Sequence, residues 1–318
     1  VKVATMLVDL SVVVPVYNGA AMVAPLYARL VPVCEAVGTF EIVLADDGST
    51  DGSDQAITDL CAADPRVIGV LLSRNFGQHN ATLAGLAASR GRLVVTMDQD
   101  LQNPPEELPR LVAALRSGYD VVYGLPARRA HGWFRNATSE LTKWWGRRVF
   151  PTAVGGTFSS FRALDRWVVQ QLLGYHSRFV YLDGLISWTT ARVGAVEVRN
   201  DRSVHRSQYN LSRLVRHGMN LLVGFSIRPL QLASMVGVAC AILGLLGAGV
   251  VVYERVVRGL PVAGWASLMV TVLVMGGIQL LFLGLLGEYV GRMLFNTNQS
   301  PRFVVRRVLG RDDECGNG

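Results

Sequence analysis

Short apolar runs alternate with longer, helix-like segments through the first part of the chain. The pattern predicts strands over Leu10 to Val16, Phe40 to Ala45, Val67 to Leu72, Leu93 to Met97 and Asp120 to Tyr123. Between them it predicts helices over Ala20 to Ala36, Ser53 to Ala63, His79 to Ser89 and Pro104 to Arg116. Strands joined through helices build a mostly parallel sheet with helices on both faces, because a parallel neighbour can be reached only by a long crossover. Ligands of such open sheets bind beyond the carboxyl ends of the strands. Three polar clusters fall there: Tyr17-Asn18, Asp46-Asp47-Gly48-Ser49 and Asp98-Gln99-Asp100.

Later in the chain the pattern changes. No side chain is formally charged from Pro229 to Tyr253, or from Gly259 to Gly287, and each run exceeds the roughly 20 residues that cross a bilayer core. Two transmembrane helices are expected, over about 230–253 and 262–287, with Glu254, Arg255 and Arg258 in the connection. A buried helical hairpin of a soluble protein is the alternative, and the length of the runs argues against it. Six arginines precede the first span between Arg199 and Arg228, and Arg292, Arg302, Arg306, Arg307 and Arg311 follow the second. The bias of positive charge toward the cytoplasm then puts both termini on that side of a multi-pass protein of the cytoplasmic membrane. The expected division is a cytoplasmic catalytic part over 1–225, a membrane hairpin over 226–295 and a basic tail over 296–318. No signal-peptide pattern is seen near Val1, and Cys34, Cys61, Cys240 and Cys315 lack metal spacing, as free thiols of a reducing compartment would.

The net charge of +7 could suggest a nucleic-acid partner. The cations instead flank the spans and crowd one segment, Arg128 to Arg148, where Trp133, Phe134, Trp144 and Trp145 are interleaved. Aromatics mixed with cations suit a membrane interface, so this segment is expected as a loop leading into an interfacial helix, with Leu211 to Val223 as a second. An amphipathic core helix explains the tryptophans but not the cations. No nucleic-acid module accompanies the charge.

Asp98 and Asp100 stand one residue apart at the end of an apolar strand, so alternation puts both carboxylates on one side, and Gln102 continues the spacing. Oxygen ligands of this kind suit Mg²⁺ or Mn²⁺ and leave coordination positions open for substrate phosphates. Asn103 then fits a helix N-cap, with Pro104 at the first helical position and Glu106 placed to reach back. A bare Asp-x-Asp also ends ordinary strands, and Asn, Asp, Gly and Ser are ordinary turn residues. Asp46-Asp47 is harder to dismiss, because adjacent carboxylates repel and a turn needs only one. The glycine fingerprints of dinucleotide-binding and phosphate-loop enzymes are absent, which argues against a nicotinamide enzyme or a phosphate-loop ATPase.

Several ordered motifs together make the chain resemble the polyprenyl-phosphate type of family 2 glycosyltransferases. They are Val14-Pro15-Val16-Tyr17-Asn18, Asp46 to Asp51, Arg74-Asn75-Phe76-Gly77-Gln78 and Asp98 to Glu106, then Arg206-Ser207-Gln208-Tyr209, Phe225 to Leu230 and Gly287 to Arg292. The resemblance implies a GT-A-type, Rossmann-like domain with interfacial helices and a two-helix transmembrane hairpin. It implies that Pro15, Tyr17, Asn18 and Asp47 line the nucleoside pocket and that Asp98, Asp100 and Gln102 hold Mg²⁺ or Mn²⁺ on the donor pyrophosphate. Arg135 and Ser139 match an Arg-x-x-x-Ser pair near the acceptor phosphate, and Arg202 matches an arginine facing the lipid phosphate. Where relatives carry Gly-x-Arg, this chain reads Gly124-Leu125-Pro126, leaving Arg128 or Arg129 to serve the donor. Ser160 stands where many relatives have Asp, and His205 where Gly is usual.

The implied activity is metal-dependent, inverting transfer of a sugar from a nucleotide-sugar, a UDP-sugar being favoured, to a polyprenyl phosphate for the cell envelope. A homo-oligomer is compatible with this. The rivals are a membrane-bound nucleotide-sugar scaffold without catalysis and a processive polysaccharide synthase. The latter's Gln-x-x-Arg-Trp motif fails here, since Ala163 precedes Arg166-Trp167 at the required position.

Overall fold

The computed structural model describes residues 8–126, 159–175, 181–199, 264–297 and 301–310, with isolated helical positions between 235 and 257. The chain separates into two compact units, one built from residues 1–208 with 299–318 and the other from 209–298.

The first unit is organised by an eight-stranded sheet in the order β7-β5-β6-β4-β1-β2-β3-β8. Its strands are β1 (Leu10–Val16), β2 (Phe40–Asp46), β3 (Val67–Leu72), β4 (Leu93–Thr96), β5 (Val121–Pro126), β6 (Arg162–Asp165), β7 (Val193–Val198) and β8 (Val305–Leu309). β1 pairs in parallel with both β2 and β4, β2 with β3, and β5 with β7. β6 runs antiparallel to β4 and β5, and β8 antiparallel to β3. The sheet is therefore mostly parallel, as expected, with two reversed strands that the pattern did not mark.

The helices are α1 (Ala20–Glu35), α2 (Ser53–Ala63), α3 (Gln78–Ala88), α4 (Leu108–Arg116), α5 (Arg166–Gly174) and α6 (Leu182–Thr189). Alternation along the strands divides the core between the two faces. Val12, Val14 and Val95 pack with Leu26 and Leu30 of α1, Ile57 of α2 and Leu111 of α4. Val13 and Val94 pack on the other face with Leu83 and Leu86 of α3, Leu172 of α5 and Leu185 of α6. Burial of each such side chain contributes roughly 1.5–3 kcal/mol. α3 approaches β1 closely: a Cβ on Gly85 would lie 2.4 Å from Val13 Cγ1.

The expected cap at Asn103 is not formed. Pro104 precedes a 3₁₀ turn, Pro105–Glu107, with no side-chain cap. The Glu106 carboxylate is held by Arg29 at 2.7 Å instead of reaching back. β5 extends past Tyr123 to Pro126 because it stays paired with β7 through Val198. The basic segment after the second span is not all tail, since Val305–Leu309 forms β8 on the sheet edge.

In the second unit, α7 (Trp265–Thr297) is long and apolar enough to cross a membrane through Val274–Gly291. Many of its apolar side chains, Val272, Leu280, Leu283, Leu286 and Val290 among them, are exposed. Burial inside the protein thus does not explain its composition. Most of the expected first span lies outside the described residues.

Candidate active site

The strand order reverses between β1 and β4, since β2 and β3 are laid down on one side of β1 and β4 on the other. Ligands of open parallel sheets bind in the crevice at the carboxyl ends of the strands beside such a reversal. A cleft of about 310 Å³ lies there. Pro15, Val16 and Tyr17 wall it from β1 and Asp47 from β2, with Asn75, Gly77 and Gln78 after β3 and Asp98, Gln99 and Asp100 after β4.

Side-chain hydrogen bonds between loops give the cleft its shape. Gln99 binds Tyr17 in both directions: the Tyr17 N–H donates to Oε1 at 3.1 Å, and Nε2 donates to the Tyr17 carbonyl at 3.0 Å. Asp47 accepts from the N–H groups of Phe76 and Gly77 at 2.7 and 2.9 Å, which ties the β2 and β3 loops together. Asp46 turns the other way and accepts from the Ser49 N–H at 3.2 Å. The two adjacent aspartates thus serve different loops, although burial, and less strongly Asp46, push the Asp47 carboxyl up against those two N–H donors. Gly48 sits at φ +68°, and a Cβ there would lie 2.5 Å from the Arg74 backbone. Only glycine meets both demands.

Asp98 and Asp100 project from the loop after β4. Gln78 Nε2 donates to Asp98 Oδ1 at 2.5 Å, and the Ser160 hydroxyl donates to Oδ2. Burial pushes the Asp98 carboxyl up, the Ser160 hydrogen bond opposes this, and the nearby Asp100 charge adds to the rise. Asp100 accepts from the Gln102 N–H at 3.1 Å and from its side-chain amide at 2.5 Å. A desolvated carboxylate beside a second carboxylate is relieved by a cation, and an all-oxygen pair suits a hard divalent ion. Among the described residues no group of three or more His, Cys, Asp or Glu forms a metal cluster. The pair fits an ion that shares its remaining positions with substrate phosphate and water.

The structure brings together Pro15, Tyr17, Asp47, Asp98 and Asp100. Asn18 stands apart, because its Oδ1 accepts from the Thr50 N–H at 3.0 Å and its own N–H donates to Ser49. Gln102 donates through its side-chain Nε2 to Asp100, so it stands beside the two carboxylates, and its Oε1 is the atom that could join them on an ion. Arg128, Arg135, Ser139, Arg202 and His205, with the interfacial segments 128–148 and 211–223, lie outside the described residues. Asn75, Gln78, Gln99 and Ser160 join the site without having been assigned roles from the sequence. Gln78, Asn75 and Gln99 stood in recognised strand-end motifs and Ser160 was marked only as a departure from relatives; the pairings of Gln99 with Tyr17 and of Ser160 with Asp98 span 82 and 62 residues, which local spacing does not encode.

The sequence profile of glycosyl transferase family 2 matches residues 11–167, and that of the GtrB C-terminal hairpin matches residues 228–293. The undecaprenyl-phosphate 4-deoxy-4-formamido-L-arabinose transferase of Aeromonas hydrophila is 36% identical over 94% of this chain and 93% of its own. Its namesake from Serratia proteamaculans is 36% identical over 94% of both chains. Among solved structures, glucosyl-3-phosphoglycerate synthase from Mycobacterium tuberculosis in complex with phosphoglyceric acid superposes with a TM-score of 0.51. That match has 21% identity and covers 68% of this chain and 78% of that one. The same enzyme with Mn²⁺ and UDP-glucose gives a TM-score of 0.50 at 20% identity, over 68% and 77% of the two chains. At this identity the likeness establishes the fold.

Proposed function

Since the chain belongs to glycosyl transferase family 2, we propose that it transfers a sugar from a nucleotide-sugar, with a UDP-sugar favoured, to a membrane polyprenyl phosphate. The observation that carries this reading is the cleft at the sheet's switch point, where Asp98 and Asp100 face Pro15, Tyr17 and Asp47. The relatives' names supply the acceptor class, an undecaprenyl phosphate. The exposed Tyr17 offers an aromatic face to the base.

Asp98 and Asp100 would hold Mg²⁺ or Mn²⁺, with Gln102 donating to Asp100 and offering its Oε1 as the third ligand. Such an ion, when bound, supplies charge stabilisation for the departing nucleoside diphosphate. Gln78 and Ser160 orient Asp98, and Gln99 keeps the β1 loop at a fixed distance from the carboxylates. The acceptor monophosphate has a second pKa of about 6, so near neutrality it is largely a dianion and needs no strong general base. Its oxygen forms a bond to the anomeric carbon as the bond to the nucleoside diphosphate oxygen breaks, in one displacement with inversion. A serine at position 160 is compatible with this chemistry, because no proton has to be removed. Arg128 is the candidate for the donor phosphates, and Arg135, Ser139 and Arg202 are those for the acceptor phosphate, since guanidinium donors match phosphate oxygens. α7 and a preceding first span would anchor the chain, with the catalytic part on the cytoplasmic side.

The test is incubation of the purified full chain with undecaprenyl phosphate and a panel of UDP-, GDP- and dTDP-sugars, followed by mass analysis of the lipid. The expected product is undecaprenyl phosphate carrying one glycosyl group with inverted anomeric configuration. Absence of any new glycolipid across the panel would favour a nucleotide-sugar scaffold.

A further inference from the structure

Beneath the Asp98 loop, polar side chains stand in one row across three strands. Tyr123 of β5 pairs in register with Arg162 of β6, and Arg162 with Thr96 of β4. All three are 3% exposed or less, and Asp183 of α6 joins them at 5%. Arg162 forms an ion pair with Asp183 and donates through Nε to Thr96 Oγ1 at 3.1 Å. The Tyr123 hydroxyl donates to Asp183 at 2.9 Å. Next along the row, on β1, Thr96 pairs with the apolar Val13.

Burying an Arg–Asp pair is expensive, and apolar side chains of similar volume are often as stabilising or more so. A row that only fixed strand register could stop at Thr96. This one continues: the Thr96 hydroxyl donates to the Ser160 carbonyl at 2.7 Å, and the Ser160 hydroxyl donates to Asp98. Ser160 immediately precedes Phe161 and Arg162, so the buried guanidinium and the Thr96 hydrogen bond fix the backbone that carries it.

We propose that Ser160, held by the row of Thr96, Arg162, Asp183 and Tyr123, is a positioning residue that sets the orientation of the metal-binding carboxylate of Asp98. The inference rests on the reading of Asp98 and Asp100 as ligands of a divalent cation. Ser160 engages one carboxylate oxygen and Gln78 the other, so the two donors together restrain rotation of the carboxylate. Groups that orient a ligand in this way commonly account for 10–100-fold in metal affinity.

The experiment is titration of the full-length protein, in detergent, with Mn²⁺ alone, reading free aqueous Mn²⁺ by electron paramagnetic resonance. Ser160→Ala should bind about tenfold more weakly than the unmodified chain at unchanged melting temperature, and Ser160→Thr, which keeps the hydroxyl, should recover most of the loss. Should Ser160→Ala fold poorly, the near-isosteric Ser160→Cys, a weak donor, should show the same weakening. Asp98→Asn should abolish the site. Wild-type Mn²⁺ affinity in Ser160→Ala and Ser160→Cys, with binding lost in Asp98→Asn, would overturn the positioning role and leave the metal reading intact. Equal binding by the unmodified chain and Asp98→Asn would remove the metal reading, and this inference with it.

Discussion

Asp47 holds the cleft open by accepting hydrogen bonds from two backbone N–H groups, at 2.7 and 2.9 Å, in a position that is 2% exposed. Hydrogen bonds to an ionised group contribute about 1.5–3 kcal/mol each. Asp47→Ala would leave two partly buried N–H groups without their acceptor and release the wall formed by Asn75 and Gly77. The expected result is a loss of stability of about 2–4 kcal/mol together with weaker nucleotide binding, measured by melting of the full chain and by UDP titration. Unaltered nucleotide affinity in a destabilised variant would mean that Asp47 serves the fold alone. At this scale the sequence was legible in kind and less so in aim. Asp98 and Asp100 stand where strand-end spacing placed them, whereas Asn18 has the chemistry of a pocket residue and directs it at Thr50. Side-chain direction depends on which loop lies alongside, and local spacing does not encode that.

Among the elements, strands buried on both faces were the most readable. Leu10–Val16 and Val67–Leu72 are continuous apolar runs because helices cover both sides of the sheet. β6 is short and has a charged residue at each end, and Arg162 is held there by Asp183 of α6 and Thr96 of β4. β8 reads Val-Arg-Arg-Val-Leu, with the arginines of a membrane-flanking segment, and is recognisable as a strand only from its pairing with β3. That pairing carries a consequence for the site, since the Ser73 N–H donates to the Val304 carbonyl at 2.9 Å just before the loop containing Asn75 and Gly77. Phe303 also packs against the core face that holds Val70 and Leu72. Removal of residues 302–318 should therefore lower the melting temperature, weaken nucleotide binding and promote association through the bared β3 edge. Melting, UDP titration and size-exclusion chromatography would check this; a monodisperse truncated protein with full nucleotide affinity would contradict it.

At the scale of the whole molecule, one chain combines the cleft proposed for a nucleotide-sugar with a helix long and apolar enough to cross a membrane. The combination makes sense for an enzyme whose donor is soluble and whose acceptor is a lipid. The second uncharged run was legible as a long apolar helix because a bilayer imposes a length on what crosses it. The choice of sugar was not, because it depends on the shape of a pocket assembled from four separated loops. The proposed function puts the chemistry at Asp98 and Asp100. Its most direct measurement is the rate of polyprenyl-phosphate sugar formation by the purified full chain, with and without a divalent-metal chelator, beside Asp98→Asn and Asp100→Asn. Product is expected only with Mg²⁺ or Mn²⁺ present, restored when the metal is returned, with a fall of at least about a hundredfold in both variants, on the order of the loss of 3 kcal/mol of transition-state stabilisation. Turnover that is indifferent to chelation, or that survives in Asp98→Asn at the unmodified rate, would contradict it.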